Sequence, residues 1–301
     1  MTEREVEIDG LKLKLTNLDK VLYPRAGFTK AHVIDYYRRV SPVLLPHLKG
    51  RAVTLKRYPN GVEGHHFYEK QCPSFRPEWL ETASIESTTK TIDYCVLDTL
   101  PALVWAANLA DLELHTFLAR AARPQRPTTL VFDLDPGPGT DVLDCAEVAL
   151  WVRDVFEAFG LKSFVKTSGS KGLHFYVPLN TPDVTFEDTK PFARAVGELV
   201  EREHPDRVTT NMSKAERPGK VFIDWSQNDD HKTTVCVYSL RAKEQPTVST
   251  PLTWDEVEEA FERRDASRFR FLPEDVLRRV EGLGDLFAPV VEMEQALPVL
   301  T

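Results

Sequence analysis

The chain is poor in the residues that staple small scaffolds. Only four cysteines occur in 301 residues, Cys72, Cys95, Cys145 and Cys236. They are widely spaced and contain no C-x-x-C pair, which argues against a disulfide framework or a zinc knuckle. His65, His66 and Cys72 lie near one another in sequence, but no fourth ligand follows at a zinc-like spacing. No apolar run approaches the ~20 residues that a membrane span requires. The opening residues, MTEREVEIDG, are charged and carry no apolar signal segment. The expected location is the cytoplasm, without membrane contact. Internal repeats and low-complexity linkers are also missing, so no clean boundary is visible and residues 1–301 are expected to form a single catalytic domain.

What is present is an ordinary globular composition, 42% hydrophobic and 28% charged, with a net charge of -8. That sum hides an uneven distribution. Residues 1–60 hold 12 Lys and Arg against 6 Asp and Glu, and residues 251–301 hold the reverse, 6 against 12. A basic N-terminal part of about 60 residues fits local phosphate binding within an acidic protein.

Periodicity and turn residues place the elements. Residues 5–15 alternate around Asp9-Gly10, a hairpin signal. Thr29 caps a helix from Lys30 to about Val40. Strands are expected at Val53–Tyr58, His66–Glu69 and Thr91–Leu97, followed by a mostly helical stretch from Leu100 to about Ala122 with Trp105, Leu109 and Leu112 buried. A helix over Asp141–Phe159 ends at Gly160. Strands follow at Ser163–Thr167 and Leu173–Pro178, then a helix over Phe186–Glu203. Strands at Val221–Trp225 and Thr233–Tyr238 precede helices at Trp254–Arg264 and Pro273–Val280. The mixture indicates an α+β fold: two sheet modules flanked by helices and forming one active-site cleft.

The centre of the pattern is LVFDLDPGPGT, residues 130–140. Three apolar residues lead into Asp133-Leu134-Asp135, and a Pro-Gly run stops the strand. Alternation along a strand puts Asp133 and Asp135 on one face. Two carboxylates held so close repel each other unless a cation lies between them, and Mg²⁺ or Mn²⁺ prefers such hard oxygen ligands. KVFIDWSQN supplies a third carboxylate, Asp224, at another strand end, which is the pattern expected for two-metal phosphoryl or nucleotidyl transfer. Between them, VKTSGSKGLHFYVPL carries a loop of small residues whose backbone N–H groups could face an anion, with Lys171 adding charge and His174 beside it. Arg241, ending a strand in VYSLRAKEQ, suits a polyphosphate. Lys20 and Lys30 flank a Pro-Gly loop that can fold back and bring both amines to one terminal phosphate.

Apolar-Asp-x-Asp, Gly-x-His and apolar-Asp in that order resemble the archaeo-eukaryotic primase superfamily. The longer strings VFDLDPG, TSGSKGLH, VFIDWSQN, YSLRA and LTNLDKVLYP resemble the polymerase domain of bacterial DNA ligase D, from about residue 8 to residue 280. A ligase Lys-x-Asp-Gly motif is missing, so the resemblance is to a stand-alone primase-polymerase. It implies template-directed nucleotide addition at gaps and broken ends with a preference for ribonucleotides. By the resemblance, Asp133, Asp135 and Asp224 hold two divalent metals, Mn²⁺ or Mg²⁺. Ser168, Lys171, His174 and Arg241 bind the triphosphate, Gln227 and His115 lie near base or sugar, and Lys56 lies by the nucleotide. Asn17, Lys20 and Lys30 recognise a 5′-phosphate, and Phe67 and Tyr68 stack near the template, Tyr68 standing where Phe is more usual. The implied partners are gapped or broken duplex DNA with a 5′-phosphate, nucleoside triphosphates, a separate DNA ligase and a DNA end-binding protein. Two other readings compete. A haloacid-dehalogenase-type phosphatase also uses a strand-terminal Asp-x-Asp, and Asp229-Asp230 could mimic its late acidic pair. A non-catalytic end-binding module would use the basic N-terminal part but has no need for three aspartates.

Overall fold

The structure, a computed structural model, describes residues 3–86 and 90–298. The chain divides into two compact units. The first comprises residues 1–122, 233–249 and 272–285, and the second residues 123–232, 250–271 and 286–301.

In the first unit, β1 (Glu3–Ile8) and β2 (Leu11–Thr16) form a hairpin. Its turn is Asp9-Gly10, both with positive φ. Next, β3 (Val21–Tyr23) pairs with β4 (Phe28–Thr29). The Thr29 hydroxyl accepts the His32 N–H and starts α1 (Lys30–Leu48). The helix runs past the expected end at Val40, through Pro42 and Pro46, because Val40, Leu44 and Leu48 continue its buried face. Then come β5 (Ala52–Arg57), β6 (Phe67–Glu69), β7 (Thr82–Glu86), β8 (Thr91–Val96), α2 (Leu100–Asn108) and β9 (Asp111–Phe117). The sheet order is Thr233–Val235, β9, β5, β8, β7, with β6 also paired to β5.

Three expectations fail in this unit. The stretch from Leu100 to Ala122 is not one helix. It stops at Asn108, Ala110 takes a left-handed φ of 58°, and β9 follows. Leu112 is buried on this strand, whereas Trp105 and Leu109 are only half-buried. Because β9 is covered on both faces, its residues lack the apolar-polar alternation that marks a half-exposed strand. Cys72 and Cys95 are joined by a disulfide across 23 positions, with Cα atoms 5.0 Å apart. The partner cysteines come from the loop after β6 and from β8, so only the sheet brings them together. Cys145 and Cys236 are buried and free. The expected strand Thr233–Tyr238 ends at Val235.

The second unit is built on β10 (Thr129–Pro136), α3 (Val142–Ala158), β11 (Phe164–Thr167), β12 (Leu173–Pro178), α4 (Phe186–Glu203), β13 (Val208–Thr209) and β14 (Val221–Asp224). Its sheet runs β13, β14, β10, β12, β11 and Pro251–Leu252, with only β13 and β14 parallel. Asp141 caps α3 through the Leu143 N–H. Leu130, Phe132 and Leu134 share the core with Ala146, Val152 and Phe156 of α3 and with Phe192 and Val196 of α4. Burying these even-numbered residues on one face turns Asp133 and Asp135 to the other. Among the described residues no helix is long and apolar enough to cross a membrane.

The loop between β11 and β12 packs tightly on this centre. A Cβ at Gly172 would lie 1.9 Å from the Leu134 carbonyl oxygen, a backbone atom that cannot step aside. Gly172→Ala is therefore expected to lower the urea midpoint by the equivalent of about 1–3 kcal/mol, the usual cost of overpacking. A wild-type midpoint would contradict the close approach.

Candidate active site

In the second unit, β10 is paired on both sides. Asp133 lies opposite His174 of β12 and opposite Asp224 of β14. Asp135 follows on the same face of β10. The three carboxylates thus come from two neighbouring strands. His174 Nε2 is 3.3 Å from Asp133 Oδ1. Its Nδ1 is 3.0 Å from Nζ of Lys166, a fully buried lysine missed in the sequence. With Lys166 as the donor, Nδ1 accepts and Nε2 is the protonated nitrogen of the ring. Asp224 is held by its own turn: Oδ1 accepts the Ser226 N–H (2.9 Å) and hydroxyl (2.5 Å), and Oδ2 accepts Gln227 Nε2 (2.8 Å). Burial, and then the field of Asp135 and Asp133, raises the Cys145 thiol well above its ordinary pKa.

These donors suit a hard divalent cation in kind and in register. Among the described residues, however, no three His, Cys, Asp or Glu side chains converge as ligands of one ion. The expected anion loop is also partly committed. The Ser168 hydroxyl accepts the Ser170 and Gly172 N–H groups, each at 3.2 Å, so these two amides face the serine and not an open anion position. Ser168 is buried and Lys171 is exposed at the loop tip.

The first unit gathers a second set of predicted residues around one that was not predicted. Lys56 on β5 lies opposite Glu113 on β9, and Thr54 lies opposite His115. Glu113 is 1% exposed. Its Oε2 has Lys56 Nζ at 3.2 Å, His115 Nε2 at 3.0 Å and Arg241 Nε at 3.4 Å. Its Oε1 accepts the Ala242 N–H at 3.0 Å. Burial pushes the Glu113 pKa up, but the His115 hydrogen bond and the charges of Arg241 and Lys56 outweigh it and hold the carboxyl well below the usual range. His115 is lowered by burial, against the pull of Glu113. The misassigned helix hid this residue, because only a strand puts positions 113 and 115 on one face.

Phe67 and Tyr68 are neighbours on β6 and therefore point to opposite faces. The Tyr68 ring lies 5.2 Å from Lys56 Nζ and edge-on to His115 at 5.7 Å, with 56% of the residue exposed. Phe67 lies instead against the Arg57 guanidinium at 5.3 Å. The two rings do not form one stacking face.

The basic N-terminal part does fold back. The Lys30 N–H donates to the Lys20 carbonyl, and the Lys20 N–H donates to that of Asn17, whose φ is 52°. Lys30 Nζ donates to the Thr16 carbonyl at 2.8 Å, and Lys20 Nζ to Asn60 Oδ1 at 3.1 Å. Lys30 is 6% exposed. Burial, then the charges of Lys20 and Arg57, lower its pKa to about 8. Arg57 is itself paired with Glu69 at 2.6 Å, whereas the two lysine amines rest on neutral oxygens. Sequence reasoning missed Arg57 and Asn60 because neither adjoins the lysines in sequence.

A carboxylate face in the second unit and two clusters of cations in the first are the equipment of phosphate chemistry with polyanionic substrates. The comparisons with known proteins give this class its family. Residues 29–287 match the family described as LigD, primase-polymerase domain, and the chain belongs to it. It is 44% identical over 281 residues to the multifunctional non-homologous end joining protein LigD of Mycolicibacterium smegmatis, covering 93% of this chain and 36% of that protein. It is 34% identical over 250 residues to the bifunctional LigD of Bacillus subtilis, covering 83% of this chain and 40% of that one. The chain thus spans between a third and two-fifths of the length of these relatives. The polymerase domain of Mycobacterium tuberculosis ligase D, solved in complex with DNA, superposes with a TM-score of 0.87 at 40% identity, covering 94% of this chain and 99% of that one. The α+β fold class, the ligase D resemblance and the polymerase class of enzyme hold. The phosphatase reading falls with them, and its supposed acidic pair has other contacts: Asp229 pairs with Lys190 at 2.5 Å and Asp230 accepts from Gln125 at 2.7 Å.

Lys30 carries a consequence for stability. Its folded pKa lies below its unfolded value, so the unfolded chain binds more protons between about pH 8 and 10.5. This contribution destabilises below pH 8 and is relieved as pH rises through that window. Stability of the wild type relative to Lys30→Met is expected to rise between pH 7.5 and 9.5 in urea melts. A flat difference would place the Lys30 pKa at its ordinary value.

Proposed function

We propose that the chain is a metal-dependent, template-directed nucleotidyltransferase that fills short gaps and extends broken DNA ends, with a preference for ribonucleotides. The reading is supported chiefly by one observation: the register of β10 sets Asp133 and Asp135 on one face with Asp224 directly opposite Asp133. The family and the DNA-bound ligase D neighbour point the same way.

In this reading Asp133, Asp135 and Asp224 hold two Mn²⁺ or Mg²⁺ ions. Bound there, the ions would lower the pKa of a primer 3′-hydroxyl and offset the charge of the triphosphate and the departing pyrophosphate. The primer oxygen bonds to the α-phosphorus, the bond to the β-phosphate oxygen breaks, and the hydroxyl proton leaves to solvent. Gln227 holds Asp224 in place through its amide. His174, kept as an Nε2 donor by Lys166, can donate to a phosphate oxygen, and Ser168 and Lys171 bind the same triphosphate. Lys56 and Arg241 add charge for the polyphosphate, and His115 contacts base or sugar. Tyr68 offers an exposed ring to the template. Phe67, on the other face of β6, supports Arg57. Asn17, Lys20 and Lys30 receive a 5′-phosphate, each lysine contributing a charge-assisted hydrogen bond of about 1.5–3 kcal/mol. A separate ligase would seal the filled end, and a DNA end-binding protein would present it.

Two measurements test this assignment. With Mn²⁺ and a gapped duplex, Asp133→Ala, Asp135→Ala and Asp224→Ala are each expected to reduce incorporation at least 1,000-fold while the fold persists. Near-normal incorporation by any of them removes it from the metal site. Lys20→Ala combined with Lys30→Ala is expected to erase the preference for a 5′-phosphorylated gap and to leave extension of a recessed primer within about twofold. Unchanged phosphate discrimination would overturn the pocket.

A further inference from the structure

Glu113 is the one buried carboxylate to which several of the nucleotide-facing groups of the first unit are tied, and it has no assigned role. It sits at 1% exposure with one oxygen given to the backbone and the other to three side chains. It has Lys56, Arg241 and His115 around it, and Asp111, two residues before it on β9, is held by the Lys56 N–H with its carboxyl pushed well above the usual range by burial.

The arrangement also decides the protonation of His115. Ionised Glu113 can only accept, so His115 Nε2 must carry the hydrogen that it donates across 3.0 Å. In the neutral ring Nδ1 is then an acceptor. Burial favours that neutral form. Lys56 is fixed in the same way, between the carboxylate and the rings of Tyr58 and Tyr68 at 5.5 and 5.2 Å. Without the carboxylate, Lys56 and Arg241 would repel each other in a partly desolvated place, and His115 would lose the contact that selects its tautomer.

We propose that Glu113 is a positioning residue for nucleotide binding: it holds Lys56 and Arg241 in place for the polyphosphate and sets His115 as a hydrogen-bond acceptor toward the nucleotide. The inference rests on the nucleotidyltransferase reading above. Glu113 itself touches no substrate and acts through the three side chains that it orders.

Glu113→Gln separates this role from simple support. The amide keeps the side chain's shape, and its oxygen can still accept the Ala242 N–H. Its NH₂ group then faces the donor groups of Lys56, His115 and Arg241 instead of a carboxylate oxygen. The test uses Mn²⁺, ATP and a gapped duplex with a templating thymine. Wild-type incorporation must first be present, and its failure would count against the nucleotidyltransferase reading rather than against Glu113. In the variant the KM for ATP is expected to rise about tenfold or more, with kcat within about threefold and affinity for the gapped duplex within about twofold. Nitrogen-15 NMR is expected to show His115 protonated at Nε2 in the wild type and to show that tautomer lost in the variant. An unchanged KM for ATP would overturn the proposal. So would equal losses of ATP and DNA binding, or a His115 tautomer that does not respond to the substitution.

Discussion

Everything distinctive about the second unit follows from the double pairing of β10. Because β12 lies on one side and β14 on the other, Asp133 has His174 and Asp224 as cross-strand neighbours. Because the alternate residues Leu130, Phe132 and Leu134 are buried against α3 and α4, the aspartates have no other face to occupy. Slipping the register by one residue would send both carboxylates into an apolar core, at a cost far above that of any single surface contact. The core and the site are thus specified by the same alternation, and the close approach of Gly172 to the Leu134 backbone pins the adjoining loop to that strand.

The first unit solves the opposite electrostatic problem. Here cations, and not carboxylates, are drawn together at two places. At Glu113 one buried carboxylate organises Lys56, His115 and Arg241. Near Lys30, the Thr16 carbonyl accepts from that lysine and Asn60 accepts from Lys20, and burial with the charges of Lys20 and Arg57 lowers the Lys30 pKa to about 8. Such an amine is poised to gain from a phosphate, since an added anion restores the charged form that burial disfavours.

Much of this was legible in the sequence, and the exceptions share a cause. The LVFDLDPG strand, the VFID strand and the cap of α1 were readable because each is local: an apolar run, a stop and a capping residue. β9 was not, because a strand buried on both faces has no polar alternation, and LPALVWAANLADLELH continues the apolar density of the helix before it. That single error concealed Glu113 and separated it from His115. The Cys72–Cys95 bond was hidden for a related reason, since strand pairing and not spacing brings the two residues together. Phe67 and Tyr68 were read as a pair, yet adjacency on a strand puts them on opposite faces.

The central claim is that this chain copies a template, and the most direct test changes only the template. A single gapped duplex is prepared with each of the four bases in turn at the templating position, and wild-type protein is given Mn²⁺ and all four ribonucleotides at equal concentration. The nucleotide added in the first turnover is expected to follow the complement of the templating base in all four cases. Addition of the same nucleotide whatever the template, or no addition at all, would contradict it.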